Sequence, residues 1–331
     1  MSPAVVILLR VLAALGLMLF NGVVLILMLR KVLARIHVRI GPNRVGPWGL
    51  LQTVADVVKL LTKEDFAPRA VDKALFTLAP MIVFTPALAA YAALPFSDTW
   101  HIVDLDTGLL YTFAVLSLIP IGILMAGWAS ANKWSLVGGL RAAAQQIAYE
   151  VPLLLAALGP VMIAGSMNLS DIVRAQSGHM LGFIPRWFVL PQLPAFALFF
   201  VAMLAELNQT PFDMSEAESE LITGFANEYS GMRFGFLFLA EFSNSFVMSA
   251  LFVTLFFGGW LGGAGVVPGP VVFMLKTYLC IAVLMWVRGT LPRIRIDQML
   301  SLGWKALIPL SLVWIVVTGV ALKVLSGGVS G

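Results

Sequence analysis

The stretch VLAALGLMLFNGVVLILML, from Val11 to Leu29, is bracketed by Arg10 on one side and Arg30-Lys31 on the other. A helix that crosses a bilayer needs about 20 mostly apolar residues, and this run supplies them. It is too long for the core of a secretory signal, and the basic pair after it reads as a stop-transfer flank rather than a cleavage site. Working outward, further apolar runs lie near residues 74–94, 109–128, 145–164, 187–204, 234–257, 271–287 and 306–325. The expected fold is all-α and polytopic: one membrane domain over residues 1–331, with eight transmembrane helices and no internal repeat. Composition agrees, since 60% of the 331 residues are hydrophobic and 11% charged, and the mean hydropathy is +0.94. Soluble domains carry about 25% charged residues, and globular cores cannot hide this much apolar surface. The 29 Gly and 18 Pro follow no period, which excludes a collagen-like chain. Cys280 is the single cysteine, so it makes no internal disulfide and holds no iron–sulfur cluster.

Several runs contain proline: Pro80, Pro86, Pro120, Pro152, Pro160, Pro191 and Pro194. Proline removes a backbone donor and kinks a helix, and a membrane tolerates this where neighbouring helices or water satisfy the freed carbonyl. Kinked helices around polar or hydrated space are therefore expected. Trp48, Trp128, Trp187, Trp260, Trp286 and Trp304 fall at span ends, as an interfacial belt does. Sixteen Lys and Arg lie in the first loop and in the loops on its side by alternation; Arg10, Arg174, Arg186 and Lys323 lie opposite. The positive-inside rule puts the first loop in the cytoplasm and both termini outside. Lys276, inside the seventh run, is read as snorkelling to the outer surface. Within the first loop, Leu50, Leu51, Val54, Val57, Val58 and Leu61 recur at helical spacing opposite Gln52, Asp56, Lys59 and Lys63. This helix, near 50–62, is too short to span and should lie along the membrane face. Before it, Gly41-Pro-Asn-Arg44-Val-Gly-Pro47 forms a rigid turn that presents Arg44. A second amphipathic piece is expected over 169–175.

The informative residues are acids in apolar surroundings. Glu150 lies a few residues into the fourth span and Glu241 a few residues into the sixth. An ionised acid near the bilayer centre costs about 2.5–3.5 kcal/mol on insertion scales, so such residues face a protein interior or a wet cavity. Burial favours the neutral form of a carboxyl, and a row of carboxyls that exchange protons near neutral pH is what a proton relay requires. The loop after the fifth run adds Glu206, Asp213, Glu216, Glu218, Glu220 and Glu228. Two readings stand for residues 213–220. Asp213/Glu216 and Ser215/Glu218 each fit a capping box at a solvated helix start, favoured by the helix dipole; the same acids also suit the relay. For Glu150 and Glu241 the relay reading leads, because no capping role accounts for them.

Other chemistries are absent from the pattern. There is no phosphate-binding loop and no GxGxxG after a strand. His37, His101 and His179 stand in separate loops without a Cys cluster, and read as surface residues rather than metal ligands. The basic first loop suits lipid phosphates or a protein partner; nothing points to nucleic acid.

An ordered set of motifs spans nearly the whole chain: Arg30-Lys31 through Arg39-Ile-Gly41-Pro-Asn-Arg44-Val-Gly-Pro47, Ala55-Asp56-Val-Val-Lys59, Tyr149-Glu150-Val, Ala205-Glu206, Thr210-Pro-Phe-Asp213, Glu216-Ala-Glu-Ser-Glu220, Glu228-Tyr-Ser, Ala240-Glu241 and Pro292-Arg-Ile-Arg-Ile-Asp297. This set resembles the family of the H subunit of bacterial NADH–quinone oxidoreductase (respiratory complex I), whose mitochondrial counterpart is chain 1. The resemblance implies an eight-span subunit of a proton-translocating enzyme in the bacterial plasma (inner) membrane, with periplasmic termini. Such a subunit docks the hydrophilic arm, forms part of the quinone chamber and couples quinone reduction to proton translocation. Carried over by position, Arg30, Arg39, Asp56 and Lys59 would line or flank the quinone site. Glu150, Glu206, Asp213, Glu216, Glu218, Glu220, Glu228 and Glu241 would form the proton relay. The chain would bind no cofactor or metal itself and would take quinone as substrate, with FMN and iron–sulfur clusters in partner subunits. Implied partners are the hydrophilic-arm iron–sulfur subunits, small membrane subunits, antiporter-like subunits and membrane lipid.

Six positions, at four places, depart from the family pattern. Leu29 stands where members usually have Glu, and Gln209 where they usually have Arg. Met214-Ser215 replaces Leu-Pro, and Ile294 and Ile296 replace aromatics. Two other readings fit buried acids and broken helices: a stand-alone ion channel or transporter, although no inverted repeat is visible, and the anchor subunit of a membrane hydrogenase or other-donor dehydrogenase.

Overall fold

The computed structural model of the chain describes residues 3–180, 184–214, 218–263 and 267–327. Helix α1 (Pro3–Ile36) extends past the 11–29 run at both ends. The surface helix α2 (Gln52–Thr62) follows the expected turn, and α3 (Lys73–Ala90) continues through Pro80 and Pro86. The next span is in two pieces, α4 (Gly108–Leu116) and α5 (Ile119–Ala129). Pro120 sits in the first turn of α5, and its ring conflicts with a helical carbonyl four residues back, at Leu116, where α4 stops.

Helix α6 (Lys133–Ala164) begins at Lys133 rather than near residue 145. Asn132 sets that start, its side chain accepting the Trp134 N–H. Arg141, Gln145 and Gln146 therefore lie inside the helix, because caps and breakers end helices and polarity alone does not. The short α7 (Leu169–Ala175) is the second amphipathic piece, capped by Asn168. A two-residue antiparallel ladder joins His179–Met180 to Ile184–Pro185.

Helix α8 (Leu193–Glu206) has 14 residues, about 21 Å at 1.5 Å per residue, against a hydrocarbon core of about 30 Å. Pro191 and Pro194 hold its start back to Leu193, the proline falling in its first turn. Then come α9 (Glu218–Leu221), α10 (Gly231–Phe256), α11 (Gly269–Thr290) and α12 (Ile296–Leu302). α12 runs through a π turn over Gly303–Leu307 into α13 (Ile308–Gly327). Among the described residues, seven helical stretches are long and apolar enough to cross a membrane, and α8 is a shorter apolar eighth. The fold is an all-α polytopic membrane protein.

The best apolar window of α10 is 78% buried, that of the α12–α13 stretch only 17%. α10 is therefore the centre of the bundle, and α13 is an edge whose valines (Val313, Val316, Val320, Val324) stay exposed. Helices α1, α3 and α11 pack around α10, with α5 and α6 beyond α3. α5 and α6 meet through small residues: a Cβ on Gly127 would lie 2.6 Å from the Ser135 carbonyl oxygen, and one on Gly139 would lie 3.2 Å from that of Ile123.

Lys276 corrects the snorkelling expectation. Its ammonium turns back into the protein and donates to the carbonyls of Phe257, Gly259 and Leu261 at 2.7, 3.0 and 2.6 Å, 4.7 Å from the centre of the Trp187 ring. Phe257 caps α10, and Gly259 and Leu261 lie in the loop after it, so Lys276 satisfies the free carbonyls of the chain as it leaves the helix.

Candidate functional site

The site begins with two glutamines on α6. Gln145 and Gln146 are both buried. Gln145 Nε2 donates to the carbonyls of Ala205 and Phe212 at 2.6 and 2.8 Å, and Gln146 Nε2 donates to the Glu206 carbonyl at 3.3 Å. These bonds meet the free carbonyl end of α8 and fix the turn that follows it. The last residue of α8, Glu206, is thereby held inside the protein at 4% exposure. Its Oε2 has no hydrogen-bond partner among the described residues. Glu150, half-buried on α6, lies one turn on from Gln146 on the same face of the helix.

Facing Glu206, α10 presents Glu241 and α11 presents Arg288. Arg288 Nη1 lies 3.9 Å from Glu241 Oε1 and donates to Gln209 Oε1 at 3.0 Å. Just beyond α11, Arg293 Nη2 donates to Asp213 Oδ2 at 2.9 Å, and the Ile294 N–H donates to the Pro211 carbonyl at 3.0 Å. The loop after α8 is thus tied both to α6 and to the segment following α11. A cavity of about 170 Å³ lies between these elements, lined by Gln146, Glu206, Asn208, Glu241, Asn244 and Arg288 among others. Polar groups of this number, in a space of this size, suit bridging waters, each of which needs two to four polar partners.

The outer acids are held differently. Glu228 Oε1 accepts from Asn132 Nδ2 at 2.7 Å, so the residue that caps α6 also holds an acid. Glu220 pairs with Arg141 at 2.6 Å on an exposed surface. Glu218 opens α9. Glu216 and the Ser215 cap lie outside the described residues, so the capping boxes do as well. Asp213 lies in the loop, paired with Arg293.

Of the four residues expected at a quinone site, Arg30 and Asp56 form an ion pair between α1 and α2. Gln52 Nε2 also donates to Asp56 at 3.3 Å. Arg30 and Arg39 line one cleft of about 280 Å³ with Leu29, and Leu29 lines the acid-bearing cavity too. Leu29 therefore stands between the basic cleft and the buried acids. Lys59 is exposed on α2. Among the described residues, no group of three or more His, Cys, Asp or Glu is arranged to hold a metal ion.

Sequence reasoning missed Gln145, Gln146, Arg288 and the role of Arg293. Both arginines are visible in the sequence as charges near a span end, and Arg293 sits in the Pro292–Asp297 motif. Their partners, Gln209, Glu241 and Asp213, come from other elements, so spacing carries no signal for the pairing. The glutamines are uncharged and helical, with nothing local to mark them.

The family described as NADH dehydrogenase matches residues 9–319. The NADH-quinone oxidoreductase H subunit of Brevibacillus brevis is 50% identical over 301 residues, covering 90% of this chain and 88% of that protein. The H subunit of the enzyme from Geobacillus thermodenitrificans is 53% identical over 294 residues (88% of this chain, 86% of that one). That of Rhodospirillum centenum is 45% identical over 321 residues (96% and 94%).

Proposed function

The chain belongs to the family of NADH-quinone oxidoreductase H subunits, and on that ground we propose that it forms part of the quinone chamber and passes protons along its buried carboxyls as quinone is reduced. The observation that carries this reading is the cavity in which Glu206, Glu241 and Arg288 meet. Reduction of a quinone passes through anionic states and takes up two protons. Arg30, Arg39, Asp56 and Lys59 would stabilise and orient the quinone, with Leu29 as the apolar wall beside the acids. Developing negative charge there would change the protonation of Asp213 and of Glu216, Glu218, Glu220 and Glu228 at the loop. The change would be relayed through Glu206, Glu150 and Glu241. Acids this close titrate as a group, so a proton entering at one is released from another. Electrons would come from an iron–sulfur cluster of a hydrophilic-arm partner, supplied through that partner's FMN. The first loop would face the cytoplasm and both termini the periplasm.

The test uses the assembled complex in its own membranes, carrying Glu206→Gln or Glu241→Gln. Loss of a positioned proton carrier costs about 10²–10⁴-fold, so quinone-linked proton pumping should fall at least ten-fold. NADH oxidation by ferricyanide should stay unchanged. Full pumping in both variants would refute the relay.

A further inference from the structure

Four oxygen acceptors around the cavity between α6, α8, α10 and α11 are left over from the bonding described above. Gln146 Oε1, Glu206 Oε2, Asn208 Oδ1 and Asn244 Oδ1 have no hydrogen-bond partner among the described residues. All four residues line the same space of about 170 Å³. Gln146, Glu206 and Asn244 are 2, 4 and 6% exposed, so bulk water does not serve them. The Gln146 amide is fixed in direction, because its Nε2 donates to the Glu206 carbonyl and leaves the oxygen for the cavity. Buried acceptors without donors are costly, and this cavity gathers several of them.

Charge decides what kind of group they suit. The charged side chains lining the cavity are Glu206, Glu241 and Arg288. Arg288 faces Glu241 at 3.9 Å, so those two charges offset each other and an ionised Glu206 is one negative charge in excess. Water brings donors but no charge. A divalent ion would leave a surplus of buried positive charge, which is costly. One monovalent cation leaves the cavity neutral. The backbone argues in the same direction. α8 stops at Glu206 after 14 residues, and the C-terminal end of a helix carries partial negative charge that favours a cation. Short helices that end at a polar cavity, with carbonyl-type oxygens around them, are how membrane transporters hold sodium.

We infer that this cavity binds one sodium ion at the C-terminal end of α8, held by ionised Glu206 and the amide oxygens of Gln146, Asn208 and Asn244, with water completing its shell. Such a site needs no His or Cys and no cluster of carboxylates, since neutral oxygens serve a hard cation. The exchange balances: the Glu206 carboxyl gives its proton to water as sodium enters, and the net charge of the cavity is unchanged. Sodium and the proton therefore compete for one acid of the relay. The inference rests on the relay reading for the exchangeable Glu206 proton, but it uses neither quinone nor turnover.

The test adds sodium chloride to the purified complex in lightly buffered solution without NADH and follows released protons with a pH-indicator dye. Choline chloride at equal ionic strength is the control, because its methylated cation takes no oxygen ligands. Sodium should release one proton more per complex than choline, and radioactive sodium should show one more bound ion than in Glu206→Gln. Asn208 holds a left-handed φ of 50°, which glycine adopts without strain, so Asn208→Gly removes the oxygen and keeps the turn. That variant should weaken the apparent sodium affinity about ten-fold or more, as the loss of a polar partner to a buried charge does. In the unmodified complex, sodium but not choline should also slow the modification of Glu206 by a lipophilic carbodiimide, which attacks the protonated carboxyl. Mass spectrometry of this chain reads that residue directly, so the test stands even where a variant fails to assemble. Equal proton release by sodium and choline overturns the proposal, as does release that persists undiminished in both variants, or carbodiimide modification of Glu206 that ignores sodium. Full pumping in Glu206→Gln would refute the relay while leaving these sodium readouts intact, and a Glu206 blind to sodium would remove the site while leaving the relay.

Discussion

At Gln209 one neutral side chain sets the surroundings of a buried cation. Its Oε1 accepts from Arg288, which leaves that guanidinium facing Glu241 at 3.9 Å. Gln209→Arg would replace the oxygen that accepts from Arg288 with a second guanidinium. Like charges this close repel each other, so Arg288 should be pushed from its place facing Glu241 and quinone reductase activity should fall several-fold. Turnover of the membrane-bound complex checks this, and unchanged turnover would contradict it. Gln145 tests structure rather than charge. Gln145→Leu strips the donor from two buried carbonyls, each left unpaired at a cost of about 1–3 kcal/mol, so the amount of assembled complex should drop on native gels. Glu150 and Glu241 were legible in the sequence because a charge in an apolar run is costly and conspicuous. Gln145, Gln146 and Arg288 were not, since their meaning depends on partners some 50 to 80 positions away (60, 67, 60, 79 and 47).

Among the elements, long apolar spans could be read because hydropathy sums over many residues and tolerates local error. Their ends could not. α6 starts where Asn132 caps it, and α8 starts late because prolines intervene; both are local backbone effects that average hydropathy does not register. Close approaches between elements were equally hidden. A Cβ on Gly138 of α6 would lie 2.8 Å from Gly224 Cα and 2.9 Å from the Phe225 nitrogen, both of them backbone atoms. Gly138→Ala should therefore push residues 224–226 away from α6 and disturb the neighbouring Asn132–Glu228 contact. The expected outcome is loss of quinone reductase activity with ferricyanide reduction retained. Gly16→Ala, where a Cβ meets nothing within 4 Å, should leave both unchanged.

For the molecule as a whole, the arrangement of positive charge predicts which face meets which compartment. With Cys280→Ala as background, a membrane-impermeant maleimide should label Lys323→Cys only from the outside of sealed cells and Arg44→Cys only from inverted vesicles. The reverse pattern would invert the topology. The composition made the membrane fold legible at this scale, whereas the meeting at one cavity of polar side chains from four separate helices had to come from the folded chain. One helix has a larger consequence. α6 carries 32 residues, and the part ahead of its first proline, Pro152, is about 28 Å of uninterrupted rod. Along it sit Asn132 on Glu228, Arg141 on Glu220, the glutamines on the end of α8 and Tyr149, whose hydroxyl donates to the Met299 carbonyl at 2.8 Å. Such a rod behaves like the beam of a balance: tilting one end must displace the other. Double-mutant cycles between Arg141→Gln and Tyr149→Phe should then show non-additive losses of turnover, although the two side chains share no partner, while cycles pairing either with a change on α2, which packs on α1 and α10 instead, should add.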